Sequence, residues 1–282
     1  MNTWKETIIN SKRGQHLYCR YCFSGSEASN ILYIQTPLAS VSGMLQKVYE
    51  ALADHGYNVF AIDFSGTGKS SASNGGFSAR QLIQDINLAI AYISKKNDRP
   101  IYLYASTGIG GIIGQYYASR SDRIAALAQY GVFLPGNLAP MRIPSFLAPV
   151  LLQIARCLAK IAPGLTIKLL PPKYTGKNAR MEDVFYQRLQ KETPGVFNVQ
   201  IGWVLMLLEI ISGRNSHADC QPLCPAIVMK PLHDRYFSTN YIERYYDGLR
   251  CEKKMYAIDD IHGSYYFHAK EICAQVSDWF SL

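Results

Sequence analysis

Residues 101–111 read Ile101-Tyr102-Leu103-Tyr104-Ala105-Ser106-Thr107-Gly108-Ile109-Gly110-Gly111. The apolar run at 101–104 has the content of a buried strand, and residues 112–118 read as the first turns of a helix. A strand that turns this sharply into a helix lifts one side chain above the sheet. The strain of that turn asks for small residues two places before and two places after the apex. With Gly108 at the apex the flanks are Ser106 and Gly110, both small. With Thr107 at the apex they are Ala105 and Ile109, and a branched Ile fits badly. The steric reading favours Gly108, which leaves no side chain where a nucleophile would project. Strand length does not choose between the registers, because a strand buried on both faces has no phase in its sequence.

Outward from this turn, strand and helix signals alternate. Residues 15–23 alternate like an edge strand, 31–35 read as a buried strand, and 44–55 as an amphipathic helix stopped by Gly56. Another buried strand follows at 57–63, a helix at 80–94 and a further strand at 124–130. Such alternation with short loops predicts the α/β class, a mostly parallel sheet covered by helices on both faces. The pattern breaks after Gly131. From Pro135 to about Gly213 the chain reads as helical and apolar, jointed by prolines. Alternation resumes at 225–230, 241–248 and 254–258 and closes with a helix at 268–280. The expected organisation is an α/β core in two parts, 1–134 and 216–282, with a helical cap inserted at 135–215.

The 282 residues allow one sizeable core, and 48% apolar with 18% charged residues is the composition of a soluble globular chain. No run of about 18 apolar residues predicts a membrane span, and the first residues lack the apolar core of a signal peptide. Cytoplasmic residence is the expectation. Seven cysteines make an odd count that suits reduced thiols better than a disulfide framework. Cys19 and Cys22 should point to opposite faces of a strand, and Cys220 and Cys224 lack the second pair of ligands a zinc site needs. The formal charge is +8. Between residues 137 and 200 nine basic side chains face only Glu182, Asp183 and Glu192. That is either a solvated helical face or an attraction for an acidic partner, such as a coenzyme A phosphate, an acidic carrier protein or an anionic membrane surface. Nucleic acid is not expected, because the basic residues are interleaved with aliphatic rather than aromatic ones.

Three further motifs carry chemistry. Asp63-Phe64-Ser65-Gly66-Thr67-Gly68-Lys69-Ser70 follows a buried strand and mimics a phosphate loop, but that loop needs Gly where Asp63 stands. Asp234 follows the strand at 225–230 by a short loop. His262 follows the last strand, in Ile258-Asp259-Asp260-Ile261-His262-Gly263. With the turn at 105–110, these features in this order resemble the α/β-hydrolase superfamily. The inserted segment and its flanks look most like the monoacylglycerol lipase and lysophospholipase branch, also described as serine aminopeptidase-like.

The resemblance spans nearly the whole chain. It implies that Asp234 and His262 are the acid and histidine of a catalytic triad, with Asp259 the runner-up acid. In such a pair the acid fixes the imidazole tautomer and His262 moves the proton. His233 and His268 are expected at the surface. The departures fall on the other parts. The nucleophile position holds Gly108, or Thr107 in the other register, instead of Ser. Thr36-Pro37 stands where the family usually carries His-Gly, and a proline has no N–H to donate. Leu38 and Ile109 are the backbone donors that remain for an oxyanion.

These residues imply an enzyme acting on an acyl or carbonyl compound through Asp234 and His262, without a serine acyl-enzyme and without cofactor or metal. Within it, Thr107 or Ser106 is a candidate for an unusual nucleophile. A conventional ester or thioester hydrolase using Thr107 is the second reading. The third is a non-catalytic binding or interaction protein of the same fold, as in proteins resembling the N-myc-downstream-regulated family.

Overall fold

A computed structural model of the chain describes residues 3–11, 14, 16–37, 40–41, 45–70, 77–106, 108–169, 173, 175–192, 197–212 and 220–281. Its centre is an eight-stranded sheet made of β1 (Trp4–Asn10), β2 (His16–Cys22), β3 (Asn30–Ile34), β4 (Asn58–Ile62), β5 (Ile101–Ala105), β6 (Leu127–Tyr130), β9 (Ala226–Pro231) and β10 (Lys253–Ile258). The spatial order is β1-β2-β4-β3-β5-β6-β9-β10. Only β2 runs against its neighbours; from β4 to β10 every pairing is parallel. The chain therefore has the α/β-hydrolase arrangement of a mostly parallel sheet between helical layers.

The central strands are largely apolar and almost wholly buried because both faces are covered. In β3, Leu32 and Ile34 pack into one cluster, while Ile31 and Tyr33 pack into the other. In β4, Phe60 and Ile62 divide from Val59 and Ala61 in the same way. The first face is covered by α2 (Ala79–Lys96), α3 (Gly108–Ala118) and α7 (Thr239–Asp247), and the second by α1 (Gln46–Asp54), α8 (Ser264–Phe267) and α9 (Ala269–Phe280). Ser78 caps α2, its hydroxyl accepting from the Gln81 N–H at 3.1 Å. Cys19 and Cys22 fall in opposite clusters, as strand alternation requires.

Two expectations differ from what is found. Residues 15–23 were expected at a sheet edge, but β2 lies inside, between β4 and a strand the sequence did not signal. That strand, β1, is mostly solvated, with Ile9 its only buried residue, so it carries almost no apolar alternation. The segment between β6 and β9 is not purely helical. It holds α4 (Ala148–Ile161), α5 (Lys177–Glu192) and α6 (Ile201–Ile211), together with a two-stranded ribbon of β7 (Thr166–Lys168) and β8 (Asn198–Gln200). Strands of three residues are too short to show a period. α6 packs on α4 and α2, burying Trp203, Met206 and Ile210. No helix among the described residues is long and apolar enough to cross a membrane.

Candidate active site

The candidate residues meet at the carboxyl ends of parallel strands, where open α/β sheets bind their ligands. β9 and β10 are adjacent, so the loops that leave them lie side by side. The Leu232 N–H donates to Ile258 O at 2.8 Å, and the His233 N–H to Asp260 O at 2.9 Å. This zipper carries Asp234, three residues past β9, to His262, four residues past β10.

His262 Nδ1 donates to Asp234 Oδ2 at 2.7 Å. A carboxylate only accepts, so the proton sits on Nδ1 and Nε2 is left as the basic nitrogen. The other oxygen, Asp234 Oδ1, accepts the N–H groups of Tyr236 at 2.7 Å and Phe237 at 3.0 Å. The acid is thus fixed by its own turn. The His262 side chain is 12% exposed and that of Asp234 2%. Burial alone would lower the His262 pKa. The charge and hydrogen bond of Asp234, then the charge of Glu182, outweigh it and leave the imidazole above its ordinary value.

The strand-to-helix turn faces this pair through Gly108, the first residue of α3. A β-carbon on Gly108 would lie 3.2 Å from His262 Nε2, 2.9 Å from His262 Cε1 and 2.7 Å from Phe237 Cε2. Gly131, at φ +99°, lies directly behind: a β-carbon there would stand 2.6 Å from the Gly108 Cα. The turn is pressed against the end of β6 at the back, and the Phe237 and His262 rings close on it at the front. Around the imidazole stand Tyr236 at 4.7 Å, Phe237 at 5.8 Å and Tyr265 at 6.4 Å between ring centroids. The buried hydroxyl of Tyr130, beside Gly131, has no hydrogen-bond partner among the described residues.

The other candidates are distributed differently. Ser106 is fully buried, its hydroxyl 2.5 Å from that of Tyr33 on the face of the sheet that packs against α1 and α9. Ile109 is half-buried in the first turn of α3, where backbone N–H groups lack an i−4 carbonyl. Thr107 and Leu38 lie outside the described residues. Asp259 pairs with His233 at 2.7 Å at the surface, away from His262. His268 pairs with Asp260 at 2.8 Å and Glu271 at 3.2 Å. The Asp63 motif is scaffolding. Its carboxylate accepts from the Val41 N–H, the Ser40 hydroxyl and the Lys69 N–H, tying the loop after β3 to the loop after β4.

One residue here was missed in the sequence. Glu182 of α5 is 3% exposed, and its charge acts on His262. In the sequence it is one acid among many bases, and only the i, i+3, i+7 spacing with Phe185 and Leu189 hints that it turns inward.

The fold is that of an α/β-hydrolase. Residues 27–260 match the model of the family described as serine aminopeptidase, S33 (Hydrolase_4), and the chain belongs to that family. No curated protein matches the sequence. Among solved structures, the chain is similar to a monoacylglycerol lipase of Paleococcus ferrophilus, with 17% identity, a TM-score of 0.68 and 98% of each chain covered. It is similar to the enol-lactonase of Burkholderia xenovorans, with 17% identity, a TM-score of 0.62 and coverage of 99% of this chain and 96% of the other. It is also similar to a hydrolase of Pseudomonas aeruginosa, with 15% identity, a TM-score of 0.68 and 99% of each chain covered. At these identities the likeness is one of fold.

Proposed function

We propose that this protein is an enzyme acting on an acyl or carbonyl compound by general acid–base catalysis, with His262 as the base, Asp234 as its orienting acid and no acyl-enzyme. The observation that carries this reading is the bare Gly108 Cα opposite His262 Nε2. The nitrogen that would deprotonate a serine faces a residue with no hydroxyl, so the proton it takes comes from water or from the substrate. Positioned proton transfer of this kind contributes about 10²–10⁴-fold to a rate. In this reading the 135–215 insertion is a cap over the site, and its basic surface draws an acidic handle such as a coenzyme A phosphate or a carrier protein.

A second reading, a non-catalytic binding protein, is favoured by Phe237, whose ring already occupies the space over Gly108. The hydrogen-bonded Asp234–His262 pair favours the enzyme. A fold without chemistry gains nothing from a buried, hydrogen-bonded acid–imidazole pair.

The experiment is hydrolysis of acyl esters and acyl thioesters by the wild type, Gly108→Ser, Gly108→Ser/Phe237→Ala and the latter with His262→Ala. The acid–base reading expects activity to appear with the serine and to vanish with His262→Ala. Hydrolysis by the wild type that the serine variants do not improve would transfer the nucleophile role to Thr107.

A further inference from the structure

We propose that the outer face of α4, together with the 3₁₀ turn Ser145–Leu147 that leads into it, is a docking surface for an anionic lipid bilayer. The proposal is independent of the reaction at His262.

The case begins with the helix. α4 buries Ala148, Leu152 and Ala155 on one side and packs on α6. A surface helix packed in this way normally turns polar and charged residues outward. α4 does not. Phe146, Val150, Ile154 and Ile161 follow one another at intervals of four, four and seven residues, which sets them along one stripe opposite the buried side. They are 79%, 56%, 49% and 82% exposed. Cys157 is exposed on the same stripe. An open apolar groove runs along it, lined by Pro149, Val150, Gln153, Ile154, Cys157 and Leu158. Exposed apolar side chains continue past the helix at Leu165, Ile167 and Leu169. Of the twelve large apolar residues exposed among the described ones, seven thus fall between 146 and 169. Single exposed apolar residues are ordinary, but such a concentration marks a surface that is covered in use.

Charge chooses the occupant. From Arg123 to Met181 the chain has no Asp or Glu. Arg142, Lys160, Lys168, Lys173, Lys177 and Arg180 are exposed within that span, and Lys160 borders the stripe, one residue before Ile161. A second copy of the chain would bring an equally basic face to this one, and the two would repel. Protein interfaces are depleted in Lys and enriched in aromatic residues, whereas this stripe is aliphatic apart from Phe146 and is flanked by lysines. A soluble phosphate handle would engage the bases and leave the stripe in water. An anionic lipid surface covers both. The aliphatic side chains enter the boundary between headgroups and acyl chains, and the lysines and arginines reach the phosphates.

Co-flotation of the full chain with vesicles tests the proposal, with phosphatidylcholine alone and with phosphatidylcholine mixed with phosphatidylserine. The wild type is expected to float with the mixed vesicles and to bind the neutral ones more weakly, each basic side chain at the surface contributing roughly fivefold. Phe146→Ser/Ile161→Ser is expected to weaken binding to the mixed vesicles roughly a hundredfold. Lys160→Glu/Lys168→Glu is expected to lose the preference for phosphatidylserine. All four side chains are exposed, so both variants are expected to melt with the wild type. No flotation of the wild type, or undiminished flotation of Phe146→Ser/Ile161→Ser, overturns the proposal. A second readout keeps the native stripe. An environment-sensitive fluorophore on Cys157, the exposed one of the seven cysteines, is expected to emit at shorter wavelength when the mixed vesicles are added. Unshifted emission overturns the proposal. So does sedimentation without lipid that finds a wild-type dimer dissociated by Phe146→Ser/Ile161→Ser, which would give this face to a second copy of the chain.

Discussion

His262 Nε2 lies 3.2 Å from the point where a β-carbon on Gly108 would stand, and the Phe237 ring lies nearer still, at 2.7 Å. The strand-to-helix turn presents only backbone at residue 108, and an aromatic ring packs where a side chain there would stand.

Even one methyl group at Gly108 is therefore crowded. Ala is a better helix former than Gly by roughly 1 kcal/mol, but overpacking a close-fitted position costs about 1–3 kcal/mol. Gly108→Ala is expected to destabilise on balance. The double variant Gly108→Ala/Phe237→Ala is expected to lose less than the two single losses together. Urea denaturation of the four proteins measures the coupling, and strict additivity would mean that Phe237 does not oppose a side chain there.

The Asp234–His262 pair has a defined pH signature. The folded pKa of His262 lies above the ordinary 6.5, so the stability it contributes is fully present below that value and lost as pH rises through the folded pKa. Base catalysis needs the neutral imidazole and is expected to rise over that same upper interval. In Asp234→Asn the attraction is gone and burial dominates, so the His262 pKa is expected to fall below 6.5. NMR titration of the imidazole in both proteins decides the sign.

Ser106 is expected to be structural. Ser106→Ala leaves the buried Tyr33 hydroxyl without the partner it has at 2.5 Å, at a cost of about 1–3 kcal/mol. Adding Tyr33→Phe is expected to recover most of that loss. A Ser106→Ala variant of unchanged stability but abolished turnover would return Ser106 to the list of reacting groups.

Glu182 is expected to weaken the fold it sits in. Its folded pKa is raised, so its favourable contribution is present below the unfolded value of 4.5 and lost as pH rises through the folded one. Glu182→Gln should therefore melt higher than the wild type at pH 8, with the gap closing towards pH 4. A lower melting temperature at pH 8 would show that the carboxylate has a stabilising partner.

Most of the core was legible because its signals are local. Fully buried strands such as Asn58–Ile62 and the glycines of 108–111 announce themselves in a few residues. Asp234 and His262 were singled out through the family resemblance, by their places after two late strands, and the structure shows why they can meet: those strands are adjacent, so the loops leaving them lie side by side. β1 was not, because a solvated edge strand needs only one buried residue. Glu182 was not, because its meaning comes from a tertiary contact: an acid among bases looks like a solvated face until its helix is docked on Gly263 and Tyr265. The role of Phe237 was hidden in the same way, three residues past Asp234 with no local reason to single it out.

The central proposal is that no residue of this protein attacks a substrate, and covalent labelling tests it most directly. The wild type, Gly108→Ser/Phe237→Ala and that variant with His262→Ala would each be treated with a fluorophosphonate and analysed by intact and peptide mass spectrometry. The account predicts no adduct on the wild type, an adduct at position 108 of the serine variant, and its loss when His262 is removed. An adduct on Thr107 of the wild type would contradict it.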